Sequence, residues 1–183
     1  MKFAVCNETF QDWPIDRAFA FAADCGYTGI EIAPFTLAQY VTQITSKQRA
    51  EIRQAADAAG LQVIGLHWLL AKTEGFHVTS PDADQRRRTA DYLAELARCC
   101  AELGGTVMVF GSPQQRNLLA GVERQQGMQY AEEVFTRLLP ALESTGVSVA
   151  LEPLGPKETN FLVTTDDAVA LVERIGSPQV RLQ

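Results

Sequence analysis

Residues 147–161 read VSVALEPLGPKETNF, and this stretch decides how the rest of the chain is interpreted. Val147–Leu151 is a short β-rich apolar run, typical of a buried parallel strand. Pro153 ends that strand because proline lacks the N–H that a central ladder needs. Glu152 therefore lies at the carboxyl end of a strand, and the loop behind it carries Glu158. Ligands of parallel α/β folds bind at such ends, so Glu152 is either a functional carboxylate or a solvated strand-end residue.

Short apolar runs alternate with segments of helical periodicity along the whole chain. The runs that predict strands are Phe3–Cys6, Gly29–Ile32, Leu61–Leu66, Thr106–Phe110, Val147–Leu151 and Gln179–Gln183. One predicted helix, 46–59, follows a capping-box pattern at Thr45, and another opens with Ser80-Pro81-Asp82 as cap, first-turn proline and acid. The last predicted helix is capped by Thr164. This alternation indicates βαβ units and a parallel sheet.

The lengths of the connections between strands and helices distinguish the two common parallel folds, the TIM barrel and the doubly wound sheet. Connections from helix to strand are short and contain glycine, whereas those from strand to helix are long, as in His67–Ser80 and Gly111–Gln126. Such asymmetry is typical of a (β/α)8 TIM barrel, whose site lies in the βα loops. A doubly wound sheet is the alternative, but residues 7–11, after the first strand, lack the dinucleotide glycine fingerprint.

The number of units predicts an incomplete barrel. About five and a half βα units fit into the 183 residues, whereas a complete barrel needs about 250 residues. We therefore expect residues 1–183 to form a single partial domain that lacks its C-terminal units; a short open α/β sheet is the alternative.

Composition excludes some classes of protein. Hydrophobic residues make up 46% of the chain and charged residues 21%, as in ordinary globular proteins. The net charge of −6 argues against a nucleic-acid surface, and no apolar run predicts a membrane span. The four cysteines form no CxxC pair and are expected to be buried, reduced thiols, which favours a cytoplasmic protein.

Four motifs carry a resemblance to the sugar isomerase/epimerase superfamily with the xylose-isomerase-like barrel. This superfamily includes ketose 3-epimerases, hydroxypyruvate isomerases and inosose dehydratases. The motifs follow or lie in successive strands, and the last of them is the most specific: Cys6-Asn7-Glu8, Gly29-Ile30-Glu31-Ile32, Gly65-Leu66-His67-Trp68, and Glu152-Pro153-Leu154 with Glu158-Thr159-Asn160-Phe161.

The resemblance implies an isomerase or epimerase of carbohydrate metabolism that acts on a small-molecule sugar. The glutamate matching Glu152 is a metal ligand and acid/base in that family, and the one matching Glu158 contacts the sugar near its carbonyl. Proton transfer beside a ketose carbonyl passes through an enediolate, which a divalent cation stabilises as a Lewis acid. Mn²⁺ or Mg²⁺ suits such carboxylate-rich sites, with Co²⁺ as an alternative. The family's other ligands follow the sixth and eighth strands, so Glu152 alone is assigned here.

Three further residues are candidates for substrate binding. His67, at the end of the third predicted strand, is placed to hydrogen-bond a sugar hydroxyl, or else packs under the following loop. Trp68 is a candidate for the apolar wall of a sugar pocket, and Asn7 follows the first strand.

Other functions remain open on this sequence. A dehydratase on the same scaffold, a non-catalytic barrel binding protein and an inactive truncated product are alternatives. An apurinic endonuclease of similar fold is disfavoured because the fourth strand ends in Phe110-Gly111-Ser112-Pro113, without a histidine. A homo-oligomer remains open, and no nucleic-acid or membrane partner is expected.

Overall fold

Six parallel strands form one sheet in the computed structural model, which describes all of residues 1–183. The strands pair strictly in chain order, from the first to the sixth. They are β1 (Ala4–Cys6), β2 (Gly29–Ile32), β3 (Gln62–Leu66), β4 (Val107–Phe110), β5 (Ser148–Leu151) and β6 (Val180–Leu182). The sequence placed all six correctly, within one or two residues at each end. Because β1 and β6 do not pair with each other, each has one neighbour and one unpaired edge.

Five α-helices connect successive strands, and neighbouring helices pack side by side in chain order. They are α1 (Ile15–Asp24), α2 (Ser46–Ala58), α3 (Ala83–Leu103), α4 (Arg124–Thr145) and α5 (Thr165–Ile175). A doubly wound sheet reverses its strand order and covers both faces with helices. Here neither the strand order nor the helix order reverses, so the arrangement is that of a TIM barrel.

Helix ends follow the local sequence, with one correction. Thr45 and Thr164 cap α2 and α5, as predicted, and both helices begin with a capping box. However, α3 begins later than expected: its cap is Asp82, which accepts a hydrogen bond from the Asp84 N–H, while Ser80 Oγ accepts one from the Asp82 N–H. The Ser80-Pro81 pair therefore belongs to the turn before the helix.

The core lies between the sheet and the helices, and it requires one glycine in β3. Thirty-nine buried residues form a single apolar cluster there. A Cβ on Gly65 would lie 1.8 Å from the backbone oxygen of Val107, so only glycine lets β3 and β4 approach this closely. A close approach of this kind holds the carboxyl ends of the two strands, and the loops that follow them, next to each other.

The expectation for the cysteines is met only in part. All four are free thiols, and Cys99 and Cys100 are buried in α3, but Cys25 is exposed and Cys6 is half-buried. Burial raises the pKa of Cys99 to about 11 and that of Cys100 to about 12, so both are protonated and inert at neutral pH. None of the five α-helices combines the length and hydrophobicity needed to cross a membrane.

Candidate active site

A pocket of about 240 Å³ lies at the carboxyl ends of the strands, where the sequence placed the site. Four of the five predicted site residues line it: His67, Trp68, Glu152 and Glu158. They come from the loops after β3 and β5, which strand order places on either side of the β4 loop. Parallel strands bring the ends of distant segments together in this way.

Asn7 lies elsewhere. Its side-chain oxygen accepts a 2.8 Å hydrogen bond from the Ala33 N–H, and its amide donates to Thr36 Oγ1 at 2.8 Å. It is buried and lines a separate cleft with Phe35 and Lys72. Asn7 thus ties the turn after β1 to the turn after β2, and its role in substrate binding stays a prediction.

His67 lies between two carboxylates. Its Nδ1 is 3.3 Å from Glu31 Oε2, and its Nε2 is 3.8 Å from Glu152 Oε2. The carboxylates of Glu152 and Glu31 raise the pKa of His67 to about 9, so the imidazole is protonated at neutral pH. A protonated imidazole donates from both nitrogens, and Nε2 faces the side of the pocket that holds Glu152.

Trp68 stacks on His67 with ring centroids 5.9 Å apart and an interplanar angle of 23°. Its backbone φ is +56°, which is rare for a residue with a bulky side chain. Such strain occurs at functional sites, where surrounding structure holds the residue in place. The indole forms an apolar wall beside the charged groups.

Glu152 has space and few partners. Its side chain is 25% exposed, and its carboxylate accepts no hydrogen bond from residues 1–183, with His67 as its one ion-pair partner. A Cβ on Gly111 would lie 2.2 Å from Glu152 Oε2, so the glycine at the end of β4 leaves the room that this carboxylate occupies. Glu158 is exposed, and its Oε2 accepts a hydrogen bond from the Gly155 N–H at 3.3 Å.

Four residues around this pocket were not assigned to the site by sequence reasoning. Glu8 lines the pocket, Glu31 pairs with His67, Gly111 makes room for Glu152, and Arg116 lies buried behind Glu152. The sequence did contain a sign that Glu31 has a special role, because a carboxylate within an otherwise apolar strand is unusual. A register shift between Ile30 and Glu31 accompanies that position in β2.

The side chains of this pocket do not form a complete metal-binding site by themselves. No group of three or more His, Cys, Asp or Glu side chains in residues 1–183 is arranged to hold an ion. The open carboxylate of Glu152 could supply one ligand, and Mg²⁺ or Mn²⁺ needs about six, some of them water.

Comparison with known proteins agrees with this architecture. The family model of the xylose isomerase-like TIM barrel matches residues 19–183. The chain belongs to this family. A curated relative, fructoselysine 3-epimerase of Escherichia coli O157:H7, is 22% identical over 184 aligned residues, which cover 98% of this chain. The chain spans 64% of that relative's length.

Solved structures of low sequence identity share the fold. The crystal structure of D-psicose 3-epimerase with D-tagatose from Clostridium cellulolyticum superimposes with a TM-score of 0.82 at 17% identity. The superposition covers all of this chain and 62% of the epimerase chain. The crystal structure of a 3-keto-D-glucoside 4-epimerase from E. coli superimposes with a TM-score of 0.81 at 18% identity. This superposition covers all of this chain and 67% of the 4-epimerase chain.

Proposed function

We propose that the protein is a sugar or hydroxy-ketone isomerase/epimerase that moves a proton on a carbon next to a carbonyl. The observation that carries this proposal is the pocket in which Glu152, Glu158 and His67 meet at the carboxyl ends of β3 and β5. Membership in the xylose isomerase-like family supports it, as do the relatives and structural neighbours that are named as sugar epimerases.

Each residue has a distinct task in the proposed reaction. Glu152, whose carboxylate is open to the pocket, takes the proton from the carbon beside the carbonyl as general base. The resulting enediolate carries negative charge on oxygen, which the Nε2–H of His67 can stabilise while its Nδ1 is held by Glu31. Glu158 accepts a hydrogen bond from a hydroxyl near the carbonyl, and Trp68 covers the apolar face of the sugar carbons. The base on the opposite side of the substrate would come from outside residues 1–183.

A divalent cation, Mn²⁺ or Mg²⁺ with Co²⁺ as an alternative, is part of this proposal, with Glu152 as one ligand. When bound, it would supply Lewis-acid stabilisation of the developing oxyanion. A cytoplasmic location is proposed as well, because all four cysteines are free thiols.

The test is proton exchange in the full-length protein. D-Fructose, D-psicose, D-tagatose and fructoselysine are incubated in D2O with Mn²⁺, Mg²⁺, Co²⁺ or EDTA, and NMR follows deuterium at the carbons beside the carbonyl. An isomerase/epimerase incorporates deuterium and yields a product of the same composition as the substrate. A dehydratase yields a product that has lost water, and a binding protein leaves every compound unchanged; either result would overturn the proposal.

A further inference from the structure

Arg116 is the largest side chain that is fully buried in this molecule. Its exposed fraction is 0%, and its guanidinium donates to backbone carbonyls and not to a carboxylate. Burial lowers the pKa of Arg116 to about 10, against the attraction of Glu152 and Glu158, so the side chain remains a cation at neutral pH. Burying a cation without a paired carboxylate costs free energy, so packing alone does not account for this side chain.

The guanidinium holds two backbone carbonyls at the ends of one loop. Its Nη1 donates to the oxygen of Glu152 at 2.6 Å, and its Nη2 to the oxygen of Leu162 at 3.4 Å. Glu152 is the first residue after the strand β5, and Leu162 closes the loop, where its carbonyl oxygen also accepts a hydrogen bond from the Leu154 N–H at 3.3 Å. Leu162 has φ +54°, so Arg116 holds a strained residue in place. Nε of Arg116 has no partner.

The residues next to Arg116 extend this attachment. Asn117 Oδ1 accepts from Thr159 Oγ1 at 2.8 Å and from the Asn160 N–H at 3.1 Å. Asn160 Oδ1 in turn accepts from the Leu118 N–H at 2.7 Å. The segment 116–118 thus binds the loop 152–162 at Glu152, where it begins, and over 159–162, where it ends. Both pocket glutamates, Glu152 and Glu158, belong to that loop.

We propose that Arg116 is a positioning residue, which fixes Glu152 and Glu158 in the pocket by bracing the loop 152–162 at both ends. The planar guanidinium presents several donors in a rigid fork, so one side chain can bind two carbonyls. A lysine side chain at this position keeps the positive charge, but its single nitrogen cannot reproduce the two separate donors of the guanidinium. This inference rests on the function proposed above in assigning both glutamates to catalysis.

The test compares Arg116→Lys with Arg98→Lys in the full-length protein. Arg98 is half-exposed in α3 and pairs with Glu95, so its change to lysine controls for the chemistry of the substitution. We expect Arg116→Lys to lower kcat/KM for ketose epimerisation about 100-fold, since small misplacements of catalytic groups have such effects. Arg98→Lys should stay within about twofold. Arg116→Gln, which leaves no unpaired buried ammonium, is made alongside in case the lysine variant does not fold.

A double-mutant cycle with Glu152→Asp separates positioning from general stability. If Arg116 acts through Glu152, the two losses in kcat/KM are strongly non-additive, because Glu152→Asp already displaces the carboxylate that Arg116 positions. Losses that multiply independently would overturn the proposal. Activity of a folded Arg116→Lys or Arg116→Gln variant within twofold of wild type would overturn it as well.

Hydrogen exchange gives a readout that does not depend on the reaction. The amides of the non-proline residues of 153–162, which leaves out Pro153 and Pro156, should exchange at least about tenfold faster in the Arg116 variants, while those of α3 stay protected. If the wild-type protein epimerises none of the ketoses, the proposed function fails, and exchange alone decides the inference on Arg116. Unchanged exchange over 153–162 in a folded variant would then overturn it.

Discussion

The carboxylate of Glu152 occupies the space that a side chain at Gly111 would need, because a Cβ at position 111 would lie 2.2 Å from Glu152 Oε2. The two residues directly follow neighbouring strands, β4 and β5, which pair in register up to Phe110 and Leu151. The atom in conflict is the far end of a flexible side chain, so the glutamate can move aside without displacing backbone. A side chain at position 111 would therefore change the orientation of Glu152, the proposed base, and would leave the strand pairing of the sheet largely unaffected.

Gly111→Ala is expected to impair the reaction with little effect on folding. Displacing the Glu152 carboxylate should lower kcat about 10- to 100-fold. The free energy of unfolding should change by less than about 1 kcal/mol, since a side chain can rotate away. Steady-state kinetics and thermal unfolding measure the two quantities. Gly155→Ala is the control, because its Cβ would make an ordinary 3.6 Å contact with Glu158 Oε2. Equal kinetics in the two variants would contradict the prediction.

Glu152→Gln and Glu158→Gln should fail in different ways. Glu152→Gln keeps the size of the side chain but removes its basicity, so turnover should fall by at least about 100-fold and Mn²⁺ should bind more weakly. Glu158→Gln should mainly raise KM, with Mn²⁺ affinity close to wild type. Kinetics and calorimetry with Mn²⁺ on the full-length protein distinguish the two. Normal turnover in Glu152→Gln would refute its role, and loss of Mn²⁺ binding in Glu158→Gln would mean that the two roles are exchanged.

The paired His67 should make stability fall in alkaline solution. Its pKa is raised from 6.5 to about 9 in the folded protein, so its stabilising contribution is complete below about pH 6.5 and is lost as the pH rises through 9. With screening of a side chain that is 25% exposed, we expect the loss to be about 1–2 kcal/mol. Thermal unfolding between pH 6 and 10, without added metal, should show this loss in wild type and not in His67→Gln.

His77 is the natural control for that measurement, as the other histidine of the chain. Burial lowers the pKa of His77, so its contribution is present at high pH and is lost as the pH falls. The variant His77→Gln should therefore keep the alkaline loss. Parallel pH curves for wild type and His67→Gln would contradict the assignment of the effect to His67.

Residues 1–183 expressed alone should self-associate and show no epimerase activity. Both edge strands, β1 and β6, present unpaired backbone groups; Phe3, which precedes β1, is 56% exposed, and Leu182, the last residue of β6, is 38% exposed. Light scattering measures the size in solution. Lysine at both positions, as Phe3→Lys with Leu182→Lys, should reduce association, because charged side chains protect sheet edges. A well-behaved monomer with metal-dependent epimerase activity would disprove the expectation.

The order of elements was determined by local sequence. Strand-forming runs of four to six residues, glycines after helices and caps such as Thr45 and Thr164 act over a few neighbouring residues, so what they predict does not depend on the rest of the fold. For the same reason the sequence could place Glu152 and His67 at strand ends. The start of α3 was misplaced, because Ser80-Pro81 resembles a helix opening while Asp82 makes the bond that caps it.

The content of the pocket was decided by the tertiary structure. Glu31 pairs with His67 across 36 positions of sequence, and Arg116 reaches the carbonyl of Glu152 across the same separation. Asn7, predicted to bind substrate, forms hydrogen bonds with the loop after β2, and its predicted role stays untested. No periodicity encodes such contacts, since they depend on how far each strand is shifted and on what fills the space between loops. The sequence determined which strand ends carry carboxylates, and the packing of β2 to β5 decided which of those side chains meet.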